Sequence, residues 1–183
     1  MIIGITGTDG AGKGVVVDYL VKEKGFTHFS SRALITEEVE KRGLTPDRET
    51  LRAVANDLRR ESGNEFIIKK SYEKAQTMNV KNAVIESLRA MAEVEYLKAQ
   101  GGILVAVDAE QKLRYERIKK RTSESDMISF ETFVRQEALE MDDPDPSGMQ
   151  KAKVIAAADY TILNNGTLDD VHAQIESILK QMT

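Results

Sequence analysis

Five short apolar runs recur along the chain, separated by longer stretches in which apolar residues return every three or four positions. Ile2 to Thr6, Thr27 to Ser30, Ala83 to Glu86, Ile103 to Val107 and Tyr160 to Leu163 are the short runs, and they read as buried strands. Strands alternating with helices predict an α/β chain with a parallel sheet covered on both faces. Leu51, Val54, Ala55 and Leu58 repeat at i, i+3, i+4, i+7, and Thr45-Pro46 before them reads as an N-cap followed by proline at the first helical position. Gly101-Gly102 ends a helix built on Val94 and Leu97. Thr167 caps a last helix whose Leu168, Val171, Ile175, Ile178 and Leu179 form one stripe. Asp142 to Gly148, with two prolines and three aspartates, resists both helix and strand and reads as a loop.

The length of 183 residues and 41% hydrophobic content suit one domain with a sizeable core. A net charge of -4 argues against a surface built wholly for nucleic acid or membrane, so an anionic ligand must be met by a local basic cluster. With no cysteine there is no disulfide, thiolate metal site or thiol nucleophile. Neither a signal-peptide pattern nor an apolar stretch of roughly 20 residues is present. These features predict a soluble cytoplasmic protein without a nucleic-acid or membrane partner; a monomer or homodimer with a small-molecule partner is a separate expectation.

Between the first apolar run and Val15-Val16-Val17 lies Gly7-Thr8-Asp9-Gly10-Ala11-Gly12-Lys13-Gly14. A strand, a glycine-rich turn and a helix in that order form a phosphate-binding loop. Its backbone N–H groups and the positive end of the helix dipole converge on one place, and Lys13 adds a mobile charge for the β and γ phosphates. ATP with Mg²⁺ is the implied cofactor. The position after Lys13, where Ser or Thr usually binds the metal, is Gly14, and Val15 does not restore the hydroxyl. The ion would be held by phosphate oxygens and water, with Asp9 and Glu86 as candidates for binding that water shell.

This loop resembles that of the adenylate and UMP-CMP kinases, in which Gly also follows the lysine and Thr comes next; Val15 stands here in place of that Thr. The Thr8-to-Lys13 core is also similar to thymidylate kinase. Ala158 to Thr167, "ADYTILNNGT", resembles the end of the dephospho-CoA kinases, where the turn borders the nucleotide base, so Asn165 and Gly166 would contact adenine; Asn-Gly is equally a good turn. The resemblance implies a three-layer αβα P-loop NTPase fold on a five-stranded parallel sheet. Its core would be 1–30, 80–112 and 150–183, with an acceptor-binding helical region at 31–79 and a helical lid at 113–149.

Val84-Ile85-Glu86-Ser87-Leu88-Arg89 places a carboxylate and an arginine at the C-terminal edge of the sheet, where open α/β sheets bind ligands. Arg89 would clamp an acceptor phosphate bidentately. "KLRYERIKKR", residues 112–121, is the densest positive run. Arg114, Arg117 and Arg121 share one helix face, and Arg135 of the following helix would face them across residues 122–126. Such a lid would bring Arg117, Arg121 and Arg135 onto the transferring phosphoryl group beside Lys13. "HFSSRALITEEVEKRG" resembles the nucleoside-monophosphate-binding entry of adenylate kinases, which gives Ser31 and Arg32 to the acceptor; the same two residues would also serve as a helix cap.

Dephospho-CoA kinases place an aspartate after the second strand to activate a hydroxyl, whereas this chain has Ser30-Ser31-Arg32 there. A phosphate acceptor is already anionic and needs only positioning and charge neutralisation. The leading expectation is therefore transfer of the γ-phosphoryl group of ATP to a nucleoside monophosphate. A dephospho-CoA kinase using Asp9 or Glu37 as base and a nucleotide-dependent switch without an acceptor are the rivals. Asn56, Arg59 and Arg60 suit a base, a second phosphate or plain helix exposure, and Phe66, Tyr72 and Tyr96 suit stacking or core packing. His28 and His172 lack ligand-like spacing and receive no role.

Overall fold

A computed structural model describes residues 1–121, 128–143 and 148–182. The chain runs β1 (Ile2–Gly7), α1 (Lys13–Lys24), β2 (Thr27–Ser30), α2 (Ser31–Lys41), α3 (Arg48–Ser62), α4 (Phe66–Thr77), β3 (Ala83–Glu86), α5 (Met91–Ala99), β4 (Ile103–Asp108), α6 (Gln111–Arg121), α7 (Phe130–Met141), α8 (Lys151–Ala156), β5 (Tyr160–Leu163) and α9 (Leu168–Gln181). All five strands are parallel, in the order β2-β3-β1-β4-β5. Among the described residues no helix is long and apolar enough to cross a membrane.

The two faces of the sheet follow from strand alternation. Val84 of β3, Val105 and Val107 of β4 and Ile162 of β5 face α1 and α9, where Val16, Val17, Leu20, Val171 and Ile175 meet them. Ala83, Ile85 and Leu104 face the other way, onto Val94 and Leu97 of α5, Ile68 of α4 and Val154 of α8. The insert has its own small core, in which Val39 of α2 packs with Leu51, Val54 and Leu58 of α3. The chain leaving β1 crosses one face toward β2, while β3 feeds α5 on the other face toward β4. This reversal opens a crevice at the C-terminal ends of the central strands.

Helix ends depart from expectation at α2, whose cap is Ser30 rather than Ser31 or Arg32, and at α3. α3 begins at Arg48, and its cap is Asp47, whose side chain accepts from Thr50 N at 2.8 Å. Thr45-Pro46 lies ahead of the helix because Asp47 is a cap residue two positions nearer the first apolar turn. Thr167 caps α9 as expected, accepting from Asp170 N. The expected turn at 122–126 and residues 144–147 of the acidic loop lie outside the described residues.

A buried ion pair ties the insert to the core. Arg59 of α3 and Glu93 of α5 are both 2% exposed, with Nη2 3.6 Å from Oε1. Glu93 Oε2 also accepts from the backbone N–H groups of Arg89, at 2.7 Å, and Ala90, at 2.9 Å. Removing one partner strands the other charge in the interior, so Glu93→Ala is expected to cost about 3 kcal/mol. Chemical denaturation checks this, and a loss below about 0.5 kcal/mol would place the pair among weak surface contacts.

Candidate active site

The phosphate loop closes the end of β1. Gly10 and Gly12 take φ of 80° and 95°. At Gly12 the left-handed backbone is reinforced by crowding, since a Cβ there would collide with Nδ2 of Asn164. That amide donates to Ala11 O at 2.8 Å. Thr8 Oγ1 donates to Asp108 Oδ1 at 2.7 Å, and Arg114 Nη1 donates to Asp9 O at 3.1 Å. The loop is thereby gripped from the ends of β4 and β5 and from α6. Asn164, Asp108 and Arg114 owe this role to tertiary proximity, and no local spacing marks them.

Lys13 Nζ donates to the loop carbonyls of Gly7, at 3.0 Å, and Thr8, at 2.8 Å. Burial, with Lys151 and Arg89 close by, lowers its pKa to about 8 against the upward pull of Asp9. Between about 8 and the ordinary 10.5 the folded protein binds fewer protons at Lys13 than the unfolded chain does, so this group's contribution to stability rises with pH across that window. A polyphosphate seated against Lys13 would favour the ammonium form. Nucleotide binding near pH ~8.5 is therefore expected to take up protons, as read by calorimetry in buffers of different ionisation enthalpy. Lys13→Met should abolish the uptake, and proton release by the unsubstituted protein would contradict it.

Asp9 is drawn into ion pairs, with Oδ1 3.2 Å from Lys151 Nζ and 3.8 Å from Lys13 Nζ. Burial pushes its carboxyl up, but the charges of Lys151, Lys13 and Arg89 outweigh this and hold it well below the usual carboxylate range. Glu86, at the end of β3, accepts from Ser30 Oγ at 3.2 Å and lies 3.3 Å from His28 Nε2. The His28 hydrogen bond, opposed by burial and helped by Ser30 and Lys13, holds its carboxyl low. His28, assigned no role from sequence, is thus a direct neighbour of a candidate metal residue. Among the described residues no group of three His, Cys, Asp or Glu side chains could hold a metal. The donor set fits an ion bound largely by phosphates and water, with Asp9 and Glu86 ionised at neutral pH.

Gly14 stands exposed in the first turn of α1, and a Cβ there would meet nothing within 4 Å. Val15 packs against the core below.

The acceptor residues separate. Ser31 is buried, and its hydroxyl donates to Glu86 O at 2.7 Å; the cap of α2 is Ser30, which accepts from Ala33 N. Arg32 is exposed and has no side-chain partner among the described residues. Arg89 follows Ser87, whose φ of 71° turns the chain back toward the loop, and it lies near enough to Asp9 and Lys13 to lower both pKa values. Arg32, Arg52, Arg59 and Arg89 line one cavity of about 70 Å³ between α2, α3 and the β3–α5 turn. Arg52 is paired with Asp143 and Arg59 with Glu93, while Arg59 Nε is buried with no hydrogen-bond partner among the described residues. Asn56 and Arg59 are buried, so helix exposure does not account for them. Tyr72 and Tyr96 meet each other edge to face, 5.9 Å between ring centres. A larger cavity of about 680 Å³ runs along β2 against a different face of α2. Neither cavity is lined by phosphate-loop residues; the smaller one is the candidate site because Arg89, which lines it, lies near enough to Asp9 and Lys13 to lower both pKa values.

α6 and α7, the expected lid helices, meet differently from the expected arrangement. α7 presents Glu137 to α6, where Arg114 grips it through both terminal nitrogens. Arg135 does not face the arginines of α6; it is exposed, as is Arg121. A carboxylate opposite a buried guanidinium neutralises charge that a further arginine would have compounded. Arg117 donates through Nη2 to Asn164 O at 2.9 Å, and its Nη1 is buried without a hydrogen-bond partner among the described residues. Asn164, which accepts from Arg117, is the same residue that donates to Ala11 O of the loop. At the β5–α9 turn Asn165 Oδ1 accepts from Glu110 N at 2.8 Å, and Gly166 is exposed beside it. The turn is thus held against the start of α6.

Residues 3–143 match the family described as AAA domain. A UPF0200 protein of Methanococcus vannielii is 32% identical over 99% of this chain and 96% of its own length; one from Methanothermobacter thermautotrophicus is 31% identical over 100% and 90%. Among solved structures, shikimate kinase from Bacteroides thetaiotaomicron superposes with a TM-score of 0.59 at 15% identity, covering 100% of this chain and 98% of that one. Shikimate kinase from Acinetobacter baumannii, solved with shikimate, gives 0.56 at 20% identity, covering 99% and 92%. The fold is that of a P-loop NTPase, with kinases as structural neighbours.

Proposed function

We propose, for a chain that belongs to the UPF0200 family and to the AAA domain family, ATP-dependent transfer of a phosphoryl group to a small anionic acceptor, a nucleoside monophosphate. The observation that carries this reading is the convergence of Arg32, Arg52, Arg59 and Arg89 on one cavity, with Arg89 close enough to the phosphate loop to act on Asp9 and Lys13. Two of the four have carboxylate partners, and the remaining charge suits an acceptor phosphate. No base is needed, because an acceptor phosphate oxygen is already ionised at neutral pH. It forms the new P–O bond as the bond to the β-phosphate oxygen of ATP breaks and ADP leaves.

Within this reading Lys13 exchanges its two carbonyl partners for phosphate oxygens, and the loop N–H groups orient them. Arg117 offers its unpartnered Nη1 toward the charge that develops on the transferring group. Arg121 and Arg135 are exposed reserves of charge on the lid helices, and Asn165 and Gly166 border the adenine. Bound Mg²⁺ would neutralise the phosphates and polarise the transferring group.

Gly14 tests the metal arrangement. Its open surroundings accept a side chain, so Gly14→Thr is expected to lower the Mg²⁺ concentration giving half-maximal turnover severalfold without lowering the melting temperature. An unchanged Mg²⁺ dependence would mean that this position does not reach the ion. The function itself is tested by ADP formation with separate nucleoside and deoxynucleoside monophosphates, dephospho-CoA and shikimate. Turnover with a monophosphate supports the reading. Turnover with only a hydroxyl acceptor replaces it, and turnover indifferent to every acceptor favours a nucleotide-dependent switch.

A further inference from the structure

Lys151 opens α8 directly after the lid, and its side chain is 4% exposed. Its Nζ donates to Asp9 Oδ1 at 3.2 Å and to Oε2 of Glu140. Arg114 makes a parallel bridge, donating to Asp9 O and to the carboxylate of Glu137. Glu137 and Glu140 are three residues apart on α7 and so share one face of that helix. One face of a lid helix is therefore tied by two buried cations to a single residue of the phosphate loop, through its backbone at one point and its carboxylate at the other.

We propose that Lys151 is a positioning residue that locks the lid helix α7 to the phosphate loop through Asp9 and keeps Lys13 available for the reacting phosphates. The proposal rests on the reading of the loop as an ATP site. Exposed ion pairs fix little, but here Lys151 and Glu140 are 4% and 10% exposed, and neither charge can be left alone at that depth without a large penalty. The pair therefore holds its geometry rather than exchanging with water. Asp9 Oδ1 is shared between Lys151 and Lys13 at 3.2 and 3.8 Å. Without Lys151 the carboxylate keeps Lys13, 3.8 Å away, as an ammonium partner and would draw it away from the phosphates. The lock thus acts on chemistry twice, by fixing the lid over the loop and by competing with Lys13 for Asp9.

The test compares Lys151→Met, Lys151→Arg and Glu140→Gln with the unsubstituted full chain. Three readouts are used: amide hydrogen exchange without ligand, binding of a fluorescent ATP analogue, and steady-state ADP formation with the acceptor. In Lys151→Met and Glu140→Gln, exchange should rise together in residues 8–12 and 130–141 while residues 168–181 stay protected, and Lys151→Arg should restore much of the protection. The kcat should fall about tenfold to a hundredfold, as misplacement of a reacting group allows, with analogue affinity changed by less than about threefold. If Lys151→Met does not fold, Glu140→Gln and Lys151→Arg carry the comparison.

Exchange that rises in only one of the two segments, or an unchanged kcat, would overturn the lock. Lost analogue affinity at unchanged kcat would also overturn it, making Lys151 a nucleotide ligand. If the unsubstituted protein binds the analogue but turns over no acceptor, the acceptor reading fails, and the exchange data still decide the lock.

Discussion

Lys13→Met is expected to lower kcat/KM for phosphoryl transfer by about 10²–10³, the cost of removing one preorganised charge from a site where charge develops. Met keeps the length and the apolar stem of the side chain and removes only the ammonium. The folded protein should not suffer. Lys13 is buried enough to bring its pKa to about 8, so its charge is held in the ligand-free loop at a cost. Removing it loses two hydrogen bonds to Gly7 O and Thr8 O but also that desolvation penalty. Loss of activity with the melting temperature held within a few degrees is the expected pair of results, read by coupled ADP assay and thermal denaturation. Activity retained within about threefold would remove Lys13 from the reacting centre.

The second large effect falls on the acceptor. Arg89→Met should raise the acceptor KM about tenfold to a hundredfold, as loss of a charge-assisted hydrogen bond of about 1.5–3 kcal/mol requires, and leave ATP binding nearly unchanged. Arg89 approaches the loop closely enough to act on both Asp9 and Lys13, and its backbone is pinned by Glu93, so its guanidinium works from a fixed base. Arg32 is exposed at the mouth of the same cavity, and its replacement should cost less. Steady-state kinetics with each substrate varied in turn separates the two. An Arg89→Met protein with unaltered acceptor KM and weakened ATP binding would move this arginine to the nucleotide.

Much of the architecture was legible because it is written in local periodicity. Thr27–Ser30, Ala83–Glu86 and Tyr160–Leu163 form strands at the expected residues, and the phosphate loop sits between β1 and α1 as its glycines require. What the sequence hid depends on neighbours far apart in the chain. Lys151 is an isolated lysine until folding brings it against Asp9, 142 residues away. Glu93 resembles any charged residue of a first helical turn until Arg59 meets it. The same limit explains the lid. Helical spacing places Arg114, Arg117 and Arg121 on one face, but periodicity says nothing about which residue of the next helix lies opposite, and that residue is Glu137. Adjacent asparagines differ for the same reason: Asn164 turns inward to hold Ala11 O, whereas Asn165 stays at the surface.

The most direct test is ADP formation by the purified protein with ATP and Mg²⁺, in the presence and absence of each nucleoside monophosphate, with Lys13→Met alongside. A monophosphate that accelerates ADP release and is itself converted to the diphosphate, both lost in Lys13→Met, is the predicted result. ADP release unchanged by every monophosphate, in a protein that binds ATP, would contradict the account.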